Sequence, residues 1–138
     1  MKRTVLGIML FLVTFPILFG CAFAATTASG IGNITFELYD SEGNMVESKE
    51  VTYYQGDTLL GLLQQEFSVH CADSDGLPSE SCDYVGLYGV YVMGIDDVHA
   101  YETGTYIAFY INDEYAMTGI DSTDIVDGYV YQFKYETY

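Results

Sequence analysis

An α+β domain is predicted for this chain by three observations. Several short segments alternate apolar and polar residues with a period of two, a single stretch at residues 59–67 carries a helical apolar stripe, and Asp, Asn and Gly clusters punctuate them. The resulting order is two strands, one helix and three strands, which leaves the helix free to cover one face of a sheet.

In chain order, Ile34, Phe36 and Leu38 alternate with Thr35, Glu37 and Tyr39 and define a core face. Asp40 to Asn44 form a turn cluster, and residues 45–54 return as the antiparallel partner of a hairpin. Leu59, Leu60, Leu63 and Phe67 then share a helical stripe, with Asp57 or Thr58 available to cap the first turn. Residues 71–82 are polar and aperiodic, as a surface loop would be, and residues 86–95 read as the third strand. The uninterrupted run from Tyr106 to Ile111 reads as a central strand with both faces covered, ending in a tight turn at Asn112 and Asp113. A corner at Val126, Asp127 and Gly128 leads into a last alternating strand over residues 129–135.

Half of the residues are hydrophobic and only 17% are charged, so the chain can bury a core despite a formal charge of −16. Two of the four basic residues are Lys2 and Arg3, and their removal takes the charge to −18. Such a surface repels nucleic acid and suits solubility outside the cell. Lys2 and Arg3, followed by a short apolar run to Phe19, form an export signal at residues 1–24, with residues 25–32 as a linker and residues 33–138 as the domain. Two processing sites compete: cleavage before Ala25 releases the protein, and cleavage before Cys21 yields a lipid-anchored form. Either way the protein is expected to be extracytoplasmic, touching a membrane only through a lipid on Cys21.

Loss or lipidation of Cys21 leaves Cys71 and Cys82, most simply a structural disulfide, with a redox pair or a metal site as the alternatives. His70 and His99 have no nucleophile or acid placed beside them in the sequence and are read as solvent-facing. No hydrolase, phosphate-loop or zinc-protease motif occurs, so no enzyme and no cofactor is expected. Asp73, Asp75 and Glu80, like Asp96 and Asp97, fall short of a calcium loop. The 14 tyrosines are too many to be all core, and some must present ring faces near the surface.

Several motifs together resemble the transcobalamin-like C-terminal domain family. They are Gly56-x-Thr58-Leu59-Leu60 after the first hairpin, Tyr88-Gly89-x-Tyr91, Gly94-Ile95, the strand leading to Asn112, Gly119-Ile120, and Val126-Asp127-Gly128 before the closing aromatic strand. The resemblance spans roughly residues 33–138. It implies a β-grasp-like mixed sheet of about five strands with one helix packed on a face. In transcobalamin and intrinsic factor the related domain closes over a corrinoid held mainly by a separate helical domain, which this sequence does not show. The family commonly has Trp near the position of Ile107, Asn-Gly where this chain has Asn112-Asp113, and Asp-Gly-Asp where it has Asp127-Gly128-Tyr129. The resemblance points to an exported binding module with Tyr88, Tyr91, Tyr110 and Asn112 as ligand contacts. The implied ligand is a corrinoid-like or other flat molecule, and the competing class is a protein-interaction or adhesion module that meets a cell-surface partner.

Overall fold

The computed structural model describes residues 29–138. The leader, Cys21 and the start of the linker lie outside the described residues. No described helix is long and apolar enough to cross a membrane.

The first hairpin joins β1 (Gly32–Tyr39) to β2 (Met45–Tyr53). Its turn is built by Asp40, whose carboxylate accepts the amides of Glu42 and Asn44 at 2.9 Å each. These amides, Asn44 foremost, hold the Asp40 carboxyl below its ordinary range. Helix α1 (Leu59–Glu66) starts at Thr58, whose hydroxyl accepts the Gly61 amide at 3.1 Å. Asp57 instead accepts the Tyr54 amide and closes the preceding turn. The buried stripe is Leu59, Leu62 and Leu63, continued by Phe67. Leu60 lies one residue off that face and is half-buried, so Leu62 takes the place expected for it.

Two sheets, rather than the single sheet expected, pack with α1 around one core. The five-stranded sheet has the order β2, β1, β9 (Val130–Thr137), β7 (Thr105–Ile111), β8 (Glu114–Tyr115). Its β1 and β9 run parallel and its other pairs antiparallel. The central place therefore belongs to the last strand, and β7 is flanked on its outer side only by the two residues of β8. The four-stranded sheet has the order β4 (Pro78–Ser79), β3 (Val69–Ala72), β5 (Val92–Ile95), β6 (Val98–His99).

The segment expected as a plain surface loop contributes two strands to this second sheet. Asp73 accepts the amides of Asp75 and Leu77, and Gly76 takes φ +77°, so the chain reverses and Cys71 comes opposite Ser79. The same bonds occupy the carboxylate that an ion loop would have needed. Asp96 likewise serves a turn, accepting the Ser68 amide at 2.8 Å. Cys71 and Cys82 form a buried disulfide with Cα atoms 5.1 Å apart, which accords with an oxidising compartment.

The third strand is also shorter than its apolar run suggested. Gly86 and Gly89 bond to each other in both directions, and Gly89 adopts φ +99°, so the chain turns there and pairing begins only at Val92. Asn112 and Asp113, at φ +49° and +69°, make the tight turn after β7 as expected. Gln132, 2% exposed, binds that turn from the sheet: its side chain accepts the Asp113 amide and donates to Glu37 and Asp113 carboxylates.

On this polar face Glu136 accepts the hydroxyls of Tyr106 and Tyr110 at 2.8 and 2.7 Å. The bond to Glu136, with some help from burial, pushes the Tyr106 hydroxyl from 10.0 up to about 12 and raises that of Tyr110. The favoured form is the neutral phenol, so this contribution to stability is fully present below pH 10 and is lost as pH rises through about 12. Ultraviolet titration of Glu136→Gln should show tyrosine ionisation moving down toward pH 10 relative to the parent chain. An unchanged titration curve would mean that Glu136 does not hold these phenols.

Candidate functional site

A groove of about 450 Å³ opens between the two sheets. One wall is the segment carrying Tyr88, Val90, Tyr91 and Val92, and the other is the chain from Tyr115 to Ile120 with Ser122. Ile107 and Phe109 of β7 and Phe133 of β9 form its floor, and Tyr106 borders it. Phe109 and Phe133 stack on each other with centroids 5.2 Å apart and planes at 14°, and since Phe133 is only 2% exposed the half-buried Phe109 ring is the one the floor presents.

Each wall is fixed by backbone bonds. The Tyr91 carbonyl accepts the Ala72 amide at 2.9 Å, which ties that wall to β3 beside the disulfide. The Ala116 amide donates to the Phe109 carbonyl at 2.9 Å, which ties the other wall to β7. Asp121 joins the two, its carboxylate accepting the Val90 amide at 3.0 Å from the 3₁₀ turn Ile120–Ser122. A side chain at Gly89 would meet this carboxylate at 2.5 Å, so close approach and the positive φ both require glycine there. Burial, followed by the nearby Tyr138 and Tyr115, holds the Tyr91 hydroxyl above its ordinary range.

Tyr88 and Tyr91 line this groove, while Tyr110 and Asn112 do not. The expected arrangement placed all four on neighbouring strands of one sheet. Tyr88 and Tyr91 precede β5 of the smaller sheet, whereas Tyr110 belongs to β7 of the larger one. Alternation along β7 turns Tyr110 away from Ile107 and Phe109 and onto the polar face, where its hydroxyl meets Glu136 and the Lys134 ammonium lies 4.4 Å from its ring. Its ring meets Tyr115 edge-on at 5.4 Å, so it backs the groove wall from behind. Asn112 spends its side-chain oxygen on the Val130 amide at 2.9 Å and serves the turn.

The wall from Tyr115 to Ser122 was not singled out by sequence reasoning. Within it only Gly119-Ile120 stood out, as a motif of the family resemblance, and Tyr115, as one of the surplus tyrosines. His99 is exposed as expected, and His70 is half-buried. They flank Gly94 across the smaller sheet, His70 bonds the Tyr101 hydroxyl at 2.9 Å, and His99 stacks on the same ring at 4.7 Å. Glycine at position 94 leaves room for these rings, since a Cβ there would sit 2.9 Å from His99.

Among the described residues, no group of three or more His, Cys, Asp or Glu side chains is placed to hold a metal ion. The arrangement offers a neutral aromatic recess with hydroxyl groups at its edges, which is the chemistry of a binding site.

This α+β fold with its groove falls within a known family. Residues 56–137 match the family described as Domain of unknown function (DUF4430), and the chain belongs to it. A crystal structure of a candidate metal binding protein from Ruminococcus gnavus shares the fold, with a TM-score of 0.61 at 17% identity over 77% of this chain and 97% of that one. No curated protein matches the chain.

Proposed function

We propose that this is an exported, non-enzymatic binding module that holds a small molecule in the groove between its two sheets. The observation that carries this reading is the aromatic lining of a 450 Å³ recess whose two walls are pinned by Asp121 and by backbone bonds. Export is supported by the basic and apolar leader and by the disulfide. The transcobalamin-like resemblance supports a β-grasp relationship, given two strands, a helix and a parallel pairing of first and last strands in the larger sheet. It also makes a corrinoid-like ring one ligand to test. A metal role, suggested by the name of the Ruminococcus gnavus protein, is not adopted for this chain, because its described residues offer no cluster of three ligands.

A second reading, docking of a cell-surface protein partner, is favoured by one observation. Leu87, Tyr88 and Met117 on the two groove walls and their approach are 89%, 90% and 94% exposed.

A thermal-shift screen tests the first reading with the parent chain, Tyr110→Ala and the double variant Tyr88→Ala/Tyr91→Ala. A ligand at about 100 times its Kd should stabilise a competent chain by about 2.7 kcal/mol. The shift should persist in Tyr110→Ala and vanish in the folded double variant. Retention of the shift in the double variant would place the ligand elsewhere.

A further inference from the structure

Resting on that reading of the groove, we infer that its ligand is an uncharged, ring-bearing molecule held by aromatic and hydroxyl contacts rather than ion pairs, and that anions are disfavoured. In a chain with 20 acidic residues, none of the 15 residues lining the groove is Asp, Glu, Lys, Arg, His, Asn or Gln. Two of the nearby carboxylates are turned to other work. Asp121 accepts the Val90 amide, and Glu136 accepts two tyrosine hydroxyls, that of Tyr106 at the groove border included.

An ion entering this open recess would give up part of its hydration and find no side-chain countercharge in the lining. An anion meets the further repulsion of a surface at −18 once Lys2 and Arg3 are removed with the leader. Thr118 is bonded to Thr123 and Ser122 donates to the Gly119 carbonyl, so polar side-chain contacts to a ligand rest mainly on the hydroxyls of Tyr88, Tyr91 and Tyr115. The ring surface open to a ligand comes from Tyr88 and Tyr91 on one wall, from the half-buried Phe109 below and from the Tyr115 ring at the edge. That surface matches a planar ring system presenting its own face.

The test compares two fluorescent probes of similar size on the full domain, neutral Nile red and anionic 1-anilinonaphthalene-8-sulfonate. Nile red should bind at least about tenfold more tightly, reflecting the unpaired charge of the other probe. The preference should survive at about 1 M salt, where the Debye length is about 3 Å and long-range repulsion is screened. Binding of Nile red should be lost in Tyr91→Ala. In Ser122→Arg, which places a cation on an exposed part of the lining, the anionic probe should gain at least about tenfold. Equal affinity of the two probes in the parent chain, with both sensitive to Tyr91→Ala or Ser122→Arg, would overturn the ligand class and leave the groove as the site. Affinities that neither substitution alters would overturn the site and the class together. If Tyr91→Ala does not fold, Ser122→Arg alone decides, because its side chain begins at the surface.

Discussion

Replacing Phe36 by alanine should destabilise the domain by about 3–5 kcal/mol, the range for deleting a buried aromatic ring. Phe36 is fully buried on β1, and its ring lies 6.1 to 6.3 Å from those of Phe67, Tyr131 and Phe133. It thus joins the end of the helix and the central strand in one aromatic cluster. Against a total stability of about 5–15 kcal/mol, this is a large share. Chemical denaturation checks it, with Leu87→Ala as the control. Leu87 is almost fully exposed, and its loss should change stability by less than about 0.5 kcal/mol. A Phe36→Ala effect below about 1 kcal/mol would contradict the packing described.

Reduction of the disulfide should destabilise the domain by about 3 kcal/mol on the chain-entropy estimate, since Cys71 and Cys82 close a loop of 11 residues' separation. For a domain of this size each kcal/mol moves the Tm by several degrees, so a scan with and without reductant should separate by more than about 10 °C. A second effect follows from position. Ala72, next to Cys71, donates its amide to the Tyr91 carbonyl. Loosening this end of β3 should therefore weaken ligand binding at temperatures where the rest of the fold persists. Coincident melting curves would contradict the first expectation, and an unchanged Kd in folded, reduced protein would contradict the second.

The hairpin, the helix and the closing strand were legible because each carries a period that local chemistry enforces. Ile34, Phe36 and Leu38 alternate, Leu59 and Leu63 recur at helical spacing, and Asp40 and Thr58 supply the turn and the cap. The smaller sheet was not legible. Its β3 has four residues and its β4 and β6 two each, too few for alternation to register, and their pairing is decided by tertiary contacts. The overlong third strand came from reading the apolar residues of 86–95 while giving too little weight to Gly86 and Gly89, which turn the chain before Val92.

The same error divided the site. Tyr88 and Tyr91 do line the groove, but placing them beside Tyr110 assumed one sheet, and the partner wall comes instead from the irregular segment after β8. Nothing in that segment has a period to read. Its role depends on Asp121 reaching back to Val90, a contact over 31 residues of sequence that only the folded chain makes apparent.

The most direct test of the groove as the binding site is a methyl-detected NMR titration of the folded domain with Nile red. The methyl signals of Met117, Ile120, Val90 and Val92 should shift together and saturate with one Kd, while those of Met45 and Val46 on the distant hairpin stay in place. Saturable shifts at Met45 and Val46 with the four groove signals unmoved would contradict the account.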